Sequence, residues 1–192
     1  MESVKISGEL RKETGKRAST LLRREEKVPC VLYGGAENIT FTSLVKNFKK
    51  AIYTDKFVQV ELDINGKTYN ALVQDKTFHP LTDVLTHIDF LELVPGKMVT
   101  VEIPVKVHGF SVGVQAGGKL EISTKKIRIK SLVEKLVDHI DIDITKLEMG
   151  KSIKVKELSI PGVEIVTPGN IPVITITIPR AAKQAATEAA KK

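Results

Sequence analysis

Tryptophan is absent from this chain, cysteine occurs once, and aromatic residues make up only 5% of it. One cysteine can neither close an internal disulfide nor furnish the paired thiolates of a structural zinc site, so stability has to come from packing. Cys30 lies in an apolar run and reads as a small core residue, suited to a reducing cytoplasm. No apolar stretch approaches the ~20 residues of a membrane span, and no N-terminal run is built like a signal peptide. The expectation is a soluble, intracellular protein with no membrane partner. Nucleophile motifs, metal-ligand clusters and glycine-rich phosphate loops are missing too, so the sequence calls for neither cofactor nor metal.

What is present is charge, unevenly placed. The net charge is +7 over 192 residues, which points toward an anionic partner. Residues 1–95 carry 14 basic and 13 acidic side chains, so their positive signal is a patch and not a bulk excess. That patch runs from Arg11 to Lys27, with seven Lys or Arg against three Glu. Ala18, Leu21 and Leu22 recur at i, i+3 and i+4, the apolar stripe of a short helix after Gly15. Pro29 is expected to stop that helix. Packing the stripe inward leaves Lys16, Ser19, Arg23 and Lys27 as a mostly cationic ridge. Pro29–Tyr33 reads as a buried strand ending in the Gly34-Gly35 turn, with Tyr33 beside the ridge. Two readings fit these residues: phosphate and sugar contacts on a nucleic acid, or an ordinary solvated helix with a core tyrosine.

The fold expected is mainly β with two short helices. Val4, Ile6, Gly8 and Leu10 alternate as a half-buried strand. Residues 37–42 form another, and Ser43 is placed to cap a helix carrying Leu44, Phe48, Ala51 and Ile52 on one face. Lys46, Lys49 and Lys50 on its other face read as solvated surface. Val58–Ile64 and the run from Lys67 to Gln74 flank Asn65-Gly66, the strongest short-range hairpin signal, because a type I′ turn needs positive φ twice. Residues 74–80 read as a loop.

In Leu85–Leu91, Ile88 and Phe90 point to one side of a strand while His87 and Asp89 point to the other. This outward couple admits several readings. It could be a catalytic base with its orienting carboxylate, though no nucleophile accompanies it. With His79 it offers at most three metal ligands at no recognised spacing. It could read base edges, His donating and Asp accepting. It could also be a bare strand surface.

Val94-Pro95-Gly96 marks a candidate boundary, giving domains 1–94 and 95–179. The second reads as antiparallel β, with strands at residues 99–107, 119–122, 126–130, 140–144, 153–155 and 171–178. Its prolines, Pro104 among them, suggest edge strands and turns. His108 and His139 look isolated, and Asp138, Asp141 and Asp143 look like a solvated strand face. Residues 180–192 are an Ala/Lys-rich tail expected to be flexible.

Taken together, Arg11-Lys-Glu-Thr-Gly-Lys16, Leu22-Arg-Arg24, the Tyr33-Gly-Gly35 turn, Gln74-Asp75, His79-Pro80 and His87-Ile-Asp-Phe90 carry a resemblance. So does Gly113-Val-Gln-Ala-Gly-Gly-Lys-Leu-Glu121 in the second half. The chain resembles the bacterial 5S rRNA-binding family of large-subunit ribosomal proteins numbered twenty-five, in its long two-domain form, also called CTC or general stress protein. The resemblance implies an N-terminal β-barrel-like domain that docks on 5S rRNA, in a protein that is no enzyme and stands as a monomer on the ribosome, near other ribosomal proteins. It also implies RNA contacts by Arg11, Lys16, Ser19, Arg23, Tyr33, Gln74, His87 and Asp89. Thr20 and Phe78 stand where a relative carries arginines. Two rivals from other classes are a protein-interaction β module and an RNA-processing hydrolase using His87 and Asp89.

Overall fold

Strands with one apolar face must bury it, and in the first unit six of them do so by closing on themselves. The computed structural model describes residues 2–54 and 56–179. Strands β1 (Glu2–Leu10), β2 (Lys27–Tyr33), β3 (Ile39–Leu44), β4 (Val58–Ile64), β5 (Lys67–Phe78) and β6 (Leu85–Glu92) form a closed barrel in the order β1-β3-β2-β6-β5-β4. Its neighbours are antiparallel except β1 with β4 and β2 with β6. Cys30, Leu32, Phe41, Leu62, Ile88 and Phe90 are fully buried inside it. The Phe41 and Phe48 rings lie 5.6 and 6.1 Å from that of Phe90. Each such side chain contributes about 1.5–3 kcal/mol on leaving water. Helix α1 (Lys16–Arg24) follows β1, and a 3-10 turn, Val45–Phe48, leads into helix α2 (Lys49–Ile52).

The expected hairpin is there, with Asn65 and Gly66 at φ 51° and 82° and Ile64 opposite Lys67. Several local expectations are corrected by tertiary structure. Lys27 belongs to β2, and α1 ends at Arg24, with Glu26 at φ 58° turning the chain. Pro29 therefore lies inside a strand; the β6 ladder begins only at Cys30, so the N–H that proline lacks is not needed on that side. Leu21 is 58% exposed, and only Ala18 and Leu22 of the expected stripe are half-buried. Ser43 caps nothing: it sits in β3, donates to the Ser7 carbonyl at 2.6 Å and accepts from Asn47 at 3.1 Å. Leu44 is exposed, while Phe48 and Ile52 hold the following turns against the core. Residues 74–78 extend β5 past a bulge between Val73 and Asp75, where a loop was expected.

The described chain divides into two compact units: residues up to Val99 together with Leu132–Asp138, and residues from Thr100 that exclude that segment. The later elements are β7 (Met98–His108), α3 (Val112–Gln115), β8 (Lys119–Ile122), β9 (Lys126–Leu132), β10 (Ile140–Asp143), β11 (Ser152–Lys154), β12 (Glu164–Ile165) and β13 (Pro172–Thr177). They form a four-stranded sheet, β10-β7-β9-β12, and a three-stranded sheet, β11-β13-β8. The pairs of β12 with β9 and of β13 with β11 and β8 are antiparallel, and β10 runs parallel to β7.

Pro104 is not on an edge strand, since β7 has a neighbour on each side; it lies one residue before the β10 pairing starts at Val105. Nor are the two histidines isolated. The parallel pairing sets Asp143 opposite His108, and His108 and His139 both meet the Asp141 carboxylate, at 2.7 and 3.3 Å. The Ala/Lys tail lies outside the described residues.

Candidate nucleic-acid interface

The outer face of β6 is set by what its inner face must do. Ile88 and Phe90 are 0% exposed in the barrel, so alternation turns His87 and Asp89 outward. Their side chains are 34% and 35% exposed, with His87 Nδ1 2.8 Å from Asp89 Oδ1. A carboxylate only accepts, so Nδ1 donates to it. On one side β2 runs parallel, setting Val31 opposite Asp89 and placing Tyr33, two residues on, on the same face. On the other side β5 sets Asp75 opposite Asp89 and Thr77 opposite His87. Gln74 is the extra residue of the bulge and is exposed beside Asp75.

Helix α1 packs on β2 and delivers Arg23 to this face. Arg23 Nε donates to the Thr86 carbonyl at 3.1 Å, immediately before His87. Arg11 Nη2 donates to Ser19 Oγ at 3.2 Å, and Ser19 Oγ donates to the Gly15 carbonyl at 2.9 Å, tying the end of β1 to the helix. Arg11 Nε is buried without a hydrogen-bond partner among the described residues. Burial pushes the Cys30 thiol far up; Asp89 pushes it the same way, while Arg11 pulls it back, so both charged groups lie within electrostatic reach of one core atom. Arg23 and Arg24 suit the C-terminal end of the helix dipole, but Lys16 and Arg17 oppose it at the start. The helix thus carries cations even where its own stability disfavours them.

The phenol of Tyr33 is shifted upward, first by burial and then by Asp89 and Asp75. It therefore keeps its proton at neutral pH and can donate. The structure brings Arg23, Tyr33, Gln74, His87 and Asp89 onto neighbouring positions of one face, and joins Arg11 to Ser19 beside it. Lys16 stands apart, exposed at the first residue of α1, seven residues or about 10 Å along the axis from Arg23. Sequence reading missed Asp75 and Thr77, which face Asp89 and His87 across the ladder. No local signal announces them, because the bulge sets their register.

Two family descriptions cover nearly all of the chain: the Ribosomal L25p family over residues 6–90, and Ribosomal protein TL5, C-terminal domain, over residues 98–180. The large ribosomal subunit protein bL25 of Cytophaga hutchinsonii is 42% identical over 192 residues, the full length of both chains. That of Phocaeicola vulgatus is 36% identical over 198 residues, again the full length of both. The Porphyromonas gingivalis protein is 37% identical over 188 residues, 97% of this chain and 98% of the relative.

The chain belongs to the bL25 family. The bL25 proteins are structural components and not enzymes, which removes the hydrolase reading of His87 and Asp89. Among the described residues no group of three or more His, Cys, Asp or Glu is arranged to hold a metal ion, and no helix is long and apolar enough to cross a membrane.

Proposed function

We propose that this bL25 protein is a cytoplasmic, structural part of the large ribosomal subunit and binds 5S rRNA through the outer face of the barrel formed by α1, β2, β5 and β6. One observation carries the reading: a cationic helix is hydrogen-bonded through Arg23 to the strand that presents the His87/Asp89 couple. RNA duplexes expose a shallow minor groove of base edges and 2′-hydroxyls, which a rigid sheet with fixed donors and acceptors can meet while flanking cations hold phosphates. Lys16, Arg23 and the terminal N–H groups of Arg11 not committed to Ser19 take the phosphates, the buried Arg11 Nε not being among them. His87, Asp89, Gln74 and Tyr33 take base edges or 2′-hydroxyls, with Ser19 orienting Arg11.

Salt dependence separates these roles. Arg23→Ala should weaken 5S rRNA binding and flatten the log–log salt slope by about 0.7–0.9, the share of one phosphate contact. Asp89→Ala should cost about 1–3 kcal/mol at any salt with the slope kept, because a carboxylate neutralises no phosphate. An unchanged slope in the first variant, or tighter binding in the second, would refute the assignment.

A further inference from the structure

A second cationic stripe lies on the barrel, built by other elements. Between Asn38 and Thr54 the sequence has no Asp or Glu and three lysines. The Val45–Phe48 turn and α2 bury Phe48 and Ile52. That leaves Lys46, Lys49, Lys50 and Tyr53 at i, i+3, i+4 and i+7, the spacing of one outward stripe. All three lysines are exposed, and none forms an ion pair among the described residues. Tyr53 is 63% exposed. It is held in place all the same: its ring lies 6.3 Å from Phe78 at 55°, and the Lys76 ammonium sits 5.8 Å over that Phe78 ring while donating to the Ile52 carbonyl at 3.0 Å.

A fixed, exposed ring among lysines is a stacking platform with phosphate partners, the arrangement that holds unpaired bases with little regard to sequence. We propose that Lys46, Lys49, Lys50 and Tyr53 form a second contact surface for a single-stranded RNA segment, separate from the α1/β6 face. A peptide partner fits less well, because apart from the Tyr53 ring the stretch from Asn38 to Thr54 exposes one large hydrophobic side chain, Leu44, beside three like charges, which offers little to bury. The inference rests on the preceding reading only in taking the nucleic acid to be RNA.

The test uses the full chain, free and saturated with 5S rRNA, titrated with a labelled oligouridylate. The 5S-loaded chain should still bind it. Combined Lys46→Gln, Lys49→Gln and Lys50→Gln should weaken oligouridylate binding about tenfold at low salt and flatten the slope by about 2, from three contacts at ~0.7 each. Tyr53→Ala should weaken it about fivefold or more with the slope intact, and Tyr53→Phe should restore it. Affinity for 5S rRNA should change less than twofold in all of them. The proposal is overturned if the triple variant binds oligouridylate normally, or if it loses 5S rRNA as Arg23→Ala does, since the two faces would then be one. If 5S rRNA fails to bind while oligouridylate still responds to the triple variant, this surface stands and the preceding reading falls.

Discussion

Tyr33 shows how one side chain is tuned by its strand neighbours. Burial, Asp89 and Asp75 all favour its neutral phenol, so its folded pKa lies above the ordinary value near 10. A group raised in this way contributes stability that is complete below the unfolded value and is lost as pH rises through it toward the folded value. Asp89→Asn should therefore lower the Tyr33 midpoint without returning it fully, because burial remains. Phenolate absorbance in a background where Tyr53 and Tyr69 are phenylalanine would read this; a midpoint that does not move would separate Tyr33 from Asp89. At Asp143 the direction is opposite. Hydrogen bonds from the Thr145 hydroxyl and then its N–H lower the pKa of that carboxylate. Its contribution is present above the unfolded value and lost as pH falls through the folded one, and Thr145→Val should move the Asp143 midpoint upward in an NMR titration.

Among the elements, the Ser111–Gly118 turn shows why a glycine-rich run can be rigid. Ser111 is fully buried, donates to the Leu147 carbonyl at 2.7 Å and accepts from Gly113 and Val114 at the start of α3. Ser111→Ala should cost about 1–3 kcal/mol in urea unfolding, as the cap is lost and the Leu147 carbonyl is left with only its bond from the Gly113 N–H. A Cβ on Gly113 would fall 2.6 Å from the Met149 nitrogen, so Gly113→Ala should destabilise through backbone collision; an unchanged midpoint for either would contradict this packing. These elements also mark what could be read from sequence. The Asn65-Gly66 hairpin and the outward His87/Asp89 couple were legible because their signals are local: two positive-φ positions, and a period of two. The β5 bulge was not, and neither were the use of Ser43 against Ser7, the exposure of Leu21 or the meeting of His108 and His139 at Asp141. The bulge, the Ser43–Ser7 bond and the His108–Asp141 pair each depend on a neighbouring strand's register, which propensity and spacing do not encode.

For the whole molecule, the near neutrality of residues 1–95 makes placement, not total charge, the source of any RNA affinity. Leu132–Asp138 belongs to the first unit, so a fragment ending at residue 94 should melt below the barrel of the full chain, and binding is better measured on the intact protein. The central claim is that one outer face, made by α1, the end of β2, the β5 bulge and β6, grips 5S rRNA. Mapping amide NMR shifts of the full chain upon adding 5S rRNA tests this most directly. The account predicts that the perturbed residues gather around Lys16–Arg24, Tyr33, Gln74 and His87–Asp89. Perturbation confined to residues after Val99, with those positions unmoved under saturating RNA, would contradict it.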